Sequence, residues 1–205
     1  MSTIIEQLKS LIINKQDELL AHLNFGACSA SINAFKSKLG LELPETFYSF
    51  YELFNGSVSI NTHIWGPMSL LPLSGIIDKK QLLDKHNAQG NFSDWKPGNW
   101  WNPNWVPFLS DNTNTLLCVD TIGIFGGLKG QIFQWRNDSP SRIILSETFD
   151  SWLVALFHLI NNFSGNIAME QVAYYKYCSN VIDKITNDIN QVYPKFTSVA
   201  RLSGT

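Results

Sequence analysis

The spacing of apolar and polar positions changes character several times along the chain. Residues 3–23 place Ile4, Leu8, Leu11, Ile12, Leu19 and Leu23 at helical intervals, with Glu6, Lys9, Asp17 and Glu18 between them, which predicts an amphipathic helix. The small residues of 24–30 interrupt it, and Ser29 or Ser31 can then cap a second helix carrying Ile32, Phe35 and Leu39 and stopped by Gly40. A short third helix follows. Pro44 suits its first turn, Phe47, Phe50, Tyr51 and Phe54 form one aromatic face, and Asn55-Gly56 supplies a stop. From residue 57 to about 73 the period shortens among Gly66, Pro67 and Pro72, which predicts short strands and turns.

Residues 76–87 predict a helix with Leu82 and Leu83 among charged neighbours. Residues 88–104, rich in Gly, Asn, Pro and Trp, predict a long loop. Strands are expected at 105–109 and 115–120 around the polar turn 110–114, and at 131–135 and 142–145 around 137–140. Thr148 then caps a helix whose Phe149, Trp152, Leu153, Leu156, Phe157 and Ile160 recur every three or four residues. After the break at 164–166, residues 167–192 predict a last helix, and the final ten residues a frayed end. Helices, then antiparallel-type strands, then helices make an α+β order: a single mostly antiparallel sheet with N-terminal and C-terminal helices packed against it. We expect one domain over residues 1–163 and a helical extension, packed on it or appended to it, over 164–205.

Composition narrows the function classes. The 205 residues carry 15 Lys and Arg against 17 Asp and Glu. Near-neutrality argues against a general nucleic-acid binder, which needs cations to neutralise phosphates. Cys28, Cys118 and Cys178 are too few and too scattered for a disulfide framework and are expected as reduced thiols. No secretory pattern opens the chain and no apolar run is long enough to span a membrane, so a cytoplasmic location is expected.

Catalytic and cofactor signals are weak. The run Gly123-Ile124-Phe125-Gly126-Gly127-Leu128-Lys129-Gly130 misses both nucleotide-binding spacings and leads into a strand, so a hairpin turn or bulge is expected, not a phosphate cradle. His22, His63, His86 and His158 are scattered, without Cys or carboxylates at ligand spacing, and no metal or other cofactor is expected. A Cys118–His63 nucleophile pair has nothing to favour it over a buried strand cysteine. Trp95, Trp100, Trp101 and Trp105 are the unusual cluster. Trp105 leads into an apolar strand and is expected to be structural, whereas Trp95, Trp100 and Trp101 either pin the loop to the sheet or anchor a partner. Asp94, Asp111, Asp120, Asp138, Glu147 and Asp150 could form an acidic face, although Asp111 and Asp138 suit turns and Asp150 a helix N-terminus.

Four stretches in this order resemble the SUKH superfamily of bacterial immunity proteins and the yeast cell-wall-assembly regulator. They are Gly40-Leu41-Glu42-Leu43-Pro44 with the aromatic helix to Asn55-Gly56; the strand region around Trp65; Trp105-Val106-Pro107-Phe108-Leu109-Ser110-Asp111 with Leu117-Cys118-Val119-Asp120; and Gly130-Gln131-Ile132 followed by Thr148-Phe149-Asp150-Ser151-Trp152-Leu153. The resemblance covers roughly residues 25–162. The chain departs from it at Asn112-Thr113-Asn114, where relatives carry glycines, although Asn tolerates left-handed turn geometry. The resemblance implies a binding protein, not an enzyme: an immunity protein whose partner is a cognate toxin, commonly a nuclease, encoded by a neighbouring gene. The alternative is a regulatory adaptor like the yeast relative. Neither nucleic acid nor a membrane is expected as a partner. Candidate contacts are Asp94, Trp95, Trp100, Trp101, Asp111, Asn112 and Asp138, on the 88–104 loop and the turns at 110–114 and 137–140.

Overall fold

The computed structural model describes residues 3–15, 22–59, 61–90, 98–124, 127–139, 142–167 and 169–192, except the side chains of Gln171 and of 186–192. Helix α1 (Ile4–Asn14) opens on a capping box: the Thr3 hydroxyl accepts the Glu6 N–H and the Glu6 carboxylate accepts the Thr3 N–H. It is shorter than the 3–23 pattern. Leu23 belongs to strand β1 (Leu23–Phe25), in the stretch expected to be a break, while Asp17, Glu18 and Leu19 lie outside the described residues. Helix α2 (Ser29–Leu39) ends at Gly40 in the left-handed conformation, as expected; its N-cap is Cys28, not a serine.

The aromatic helix α3 (Glu45–Tyr51) stops one turn before Asn55-Gly56, which lie in strand β2 (Phe54–Ser57). Those two residues do a different job from a cap on their own helix. Gly56 has φ 93°, and a Cβ there would stand 2.7 Å from the Pro72 nitrogen. Asn55 Oδ1 accepts the N–H of Leu73, the first residue of helix α4 (Leu73–Ala88). The dipeptide thus lets a strand pass against the start of a distant helix.

Strands β3 (Ser69–Leu70), β4 (Trp105–Ser110), β5 (Thr115–Asp120), β6 (Gln131–Arg136) and β7 (Ile143–Ser146) form one antiparallel meander in that order, and β1 and β2 form a separate antiparallel pair. The β4–β5 register slips between Pro107 and Leu109. A bulge there suits a residue without an N–H, and it turns Phe108 and Leu109 into the same core.

The sheet is buried on both faces. Alternation along β5 sends Leu117 and Val119 to the inner core, and Leu116 and Cys118 to the outer one. The inner core holds the α3 aromatics together with α1, α2, helix α5 (Phe149–Asn162) and helix α6 (Gln171–Val192). Thr148 caps α5 through the Ser151 N–H, as its sequence predicts. Helix α6 is seated by Tyr174, whose hydroxyl donates to the Ile64 carbonyl, and by Cys178. The outer core is smaller. Trp105, Leu116, Cys118, Phe133, Trp135 and Ile144 of the sheet are covered by Trp100, Trp101 and Leu83. Helix α4 serves both layers, with Ile76 and Ile77 inside and Leu83 outside. No helix among the described residues is long and apolar enough to cross a membrane.

Candidate functional site

The described part of the Trp loop is a lid on the sheet's outer face. Trp100 and Trp101 are 3 % and 0 % exposed, so of the two alternatives expected for them they pin the loop to the sheet, and neither protrudes as an anchor into a partner. The reason is burial area: each indole gains more from covering Phe133 and Trp135 than it could from water. Trp101 stands edge-on to Trp105 and Trp135, with centroids 5.7 Å away in each case. Its Nε1–H donates to Asp84 of α4 at 2.7 Å, and the same carboxylate takes the buried Lys80 ammonium at 2.6 Å. Asp94 and Trp95 lie outside the described residues.

Arg142 fastens the lid from the opposite side. It is fully buried, and its guanidinium donates to the carbonyls of Arg136, Ser139, Asn99 and Trp100. The group lies 5.9 and 5.8 Å from the Trp105 and Trp135 rings. Burial lowers it to about 10, which still leaves it charged at neutral pH.

Three of the expected contact residues come together at one end of the sheet. In the β4–β5 turn, Ser110 Oγ accepts the Asn112 N–H, and Asp111 Oδ1 accepts the N–H groups of Thr113 and Thr115 at 2.8 and 2.9 Å. Asn112 takes φ 62°, the left-handed geometry that asparagine tolerates in place of glycine. The next turn stands alongside. Asn137 donates its N–H to the Asn114 carbonyl and its amide to Asn114 Oδ1, and Asp138 pairs with Arg136 at 3.0 Å. Asp111, Asn112 and Asp138 are therefore neighbours on a rim stiffened by its own hydrogen bonds.

The electrostatics of Asp111 gives a test of that stiffness. Partial burial pushes its carboxyl up, but the Thr115 and Thr113 donors together outweigh this and hold it below the usual carboxylate range. A depressed folded value contributes stability that is present above the unfolded value, and that stability is lost as pH falls through the folded one. Asp111→Ala is expected to lower urea-unfolding stability by about 1–2 kcal/mol at pH 7. The gap between variant and parent should narrow as the pH is taken below ~4.

Between the rim and α4 runs an open groove of about 350 Å³. Its helical wall is Lys79, Leu82, Leu83 and His86, spaced i, i+3, i+4, i+7 on one face of α4. Its far wall is Thr113, Asn114, Thr115 and Asn137, and its floor is Leu116 over Trp100 and Trp135. The α4 face is visible in the sequence as a helical stripe. Nothing in the sequence places it opposite a turn some thirty residues later.

Other expected chemistry resolves into structure. Asp120 is fully buried, and its carboxylate accepts the N–H groups of Ile122, Gly123 and Ile124 and the Gln131 amide, so it anchors the glycine-rich turn and is no part of an acidic face. That turn joins β5 to β6 as a hairpin. Asp150 sits in the first turn of α5, bonded to the Thr46 hydroxyl. Cys118 lies in the outer core, where burial pushes its thiol well above the ordinary value, the reverse of what a nucleophile needs. Among the described residues, no three His, Cys, Asp or Glu side chains gather at metal-binding distances. No curated protein matches the chain. The sequence pattern of the SMI1 / KNR4 family (SUKH-1) matches residues 26–155 of the 205, from the end of β1 into α5 and across the rim, lid and groove, so the chain belongs to that family.

Proposed function

We propose that this SUKH-1 protein is an immunity protein of a bacterial polymorphic toxin system. It acts in the cytoplasm by binding a cognate toxin, such as a nuclease, and occluding its active site. The observation that carries the reading is the rim at 110–115 and 137–138. It is an exposed polar surface, held in one shape by Asp111, Ser110 and Asn137, beside a groove with an apolar floor. A rigid polar edge around an apolar recess is what a specific protein interface needs, because little entropy is lost when it docks. An inhibitor of this kind needs about 800 Å² on its own side, more than the groove alone supplies. The chain acts by contact and not by catalysis.

The test is co-expression with the toxin domain encoded beside the gene. Protection and co-purification are expected. Thr113→Trp, which places a bulky ring on the exposed rim, is expected to weaken binding at least about tenfold while the thermal midpoint moves by under ~2 °C. Absence of both protection and binding overturns the proposal. A gene with no toxin beside it, whose product co-purifies with signalling or envelope proteins, would instead support the adaptor role held by the yeast relative.

A further inference from the structure

The groove has a polarity of its own. The chain as a whole carries a formal charge of −2, yet none of the described residues lining the groove is acidic. The two nearby rim carboxylates are committed: Asp111 to the N–H groups of its turn, and Asp138 to Arg136. Asp84, on α4, is turned to Lys80 and the Trp101 indole. What the groove presents is the Lys79 ammonium at one end of the α4 wall and the His86 imidazole at the other. Neither has an ion-pair partner among the described residues. Between them Leu82 is 48 % exposed. The opposite wall adds neutral amides and hydroxyls from Asn114, Asn137 and Thr113.

The spacing fits an extended chain. Seven helical residues separate Lys79 from His86, about 10 Å along α4. A peptide in the extended polyproline II conformation rises about 3.1 Å per residue with three residues per turn, so three residues cover that distance and return side chains i and i+3 to the same side. We propose that the groove seats an extended acidic segment of the partner protein: carboxylates three residues apart meet Lys79 and His86, and an apolar side chain between them covers Leu82 and the Trp floor. The identity of that partner as a toxin rests on the preceding section. The polarity is opposite to the acidic-face expectation drawn from the sequence, because the acids of this region are bonded within the protein while Lys79 and His86 have no ion-pair partner among the described residues.

The experiment titrates the full chain with two end-blocked peptides, Gly-Glu-Ser-Phe-Glu-Gly and its glutamine counterpart Gly-Gln-Ser-Phe-Gln-Gly. Tryptophan fluorescence and amide shifts are the readouts. The acidic peptide is expected to bind saturably with shifts confined to 79–86 and 113–116, and the glutamine peptide roughly fivefold or more weaker. Lys79→Glu should remove the preference, Lys79→Gln and His86→Gln should each reduce it about two- to fivefold, and salt at about 0.5 M should weaken the acidic peptide alone. Both side chains are half-buried on the groove face of α4 and belong to neither core, so thermal midpoints should hold. Equal binding of the two peptides, no binding at about 5 mM, or an undiminished preference in Lys79→Glu overturns the proposal. The toxin assay separates the two ideas. Protection without peptide discrimination leaves immunity and removes the acidic segment; discrimination without protection leaves the groove's chemistry and removes the toxin as its source.

Discussion

Trp152→Ala is expected to lower the unfolding free energy by about 3–5 kcal/mol, near the top of the range for a single core truncation. Trp152 is fully buried and joins three elements of the inner core. Its ring lies 6.0 Å from Phe50 of α3, 4.8 Å from Phe108 of β4 and 5.3 Å from Phe149 of its own helix, with Trp65 at 5.5 Å. Alanine would leave a cavity walled by four other aromatic rings, which cannot bend to fill it as aliphatic chains can. The indole N–H has no acceptor among the described residues, so Trp152→Phe removes an unsatisfied donor along with part of the ring. The phenylalanine variant should therefore lose less than half as much as alanine in chemical denaturation. Equal losses would show that the indole N–H is in fact bonded. A domain of this size has about 5–15 kcal/mol in all, so failure of the alanine variant to bind a partner would report unfolding and not an interface.

Arg142→Ala is expected to cost about 3 kcal/mol and to act mainly on the outer core. The guanidinium spans the β6–β7 turn and the Trp loop through four carbonyls, and it fills the space beside Trp105 and Trp135. Alanine removes the donors and the volume together. Methionine restores most of the volume and removes the buried charge, so Arg142→Met should recover part of the loss. Lysine should not, because a single ammonium cannot reach carbonyls on two segments. The local signature is exchange of the Trp135 indole proton, which donates to the Trp100 carbonyl beneath the same arginine. It should speed up far more in Arg142→Ala than the amides of β5 do. Uniform acceleration across the sheet would show that the arginine supports the whole domain and not the lid.

Much of this architecture was legible because local chemistry and tertiary demand agree. The α5 stripe, the Thr148 cap and the turn residues Asp111 and Asn112 read the same way alone and in the fold. The misreadings share a cause. Asn55-Gly56 has the composition of a helix stop, but its partners, Pro72 and Leu73, lie some seventeen residues on, and no local rule reports them. Leu23 continued a helical period and belongs to a strand because β2 pairs with it. For Trp100 and Trp101 the sequence left a pin and an anchor both open, and only the apolar outer face of the sheet decides for the pin. The groove was not legible at all, since it exists only where an α4 face meets two turns brought alongside by strand pairing.

The outer core is closed by a loop threaded between β3 and β4, whereas the inner core is built from helices on both sides of the sheet in sequence. The two layers should therefore open separately. A low-energy excursion would lift Trp100 and Trp101 off Phe133 with the meander intact, well below the cost of global unfolding. A segment in the groove would touch α4 and the β4–β5 turn at once, so it can bind only the closed form and must slow that excursion by mass action. Engagement of a partner would then be felt as a change in how often the tryptophans meet water, even where no atom of the closed state has moved.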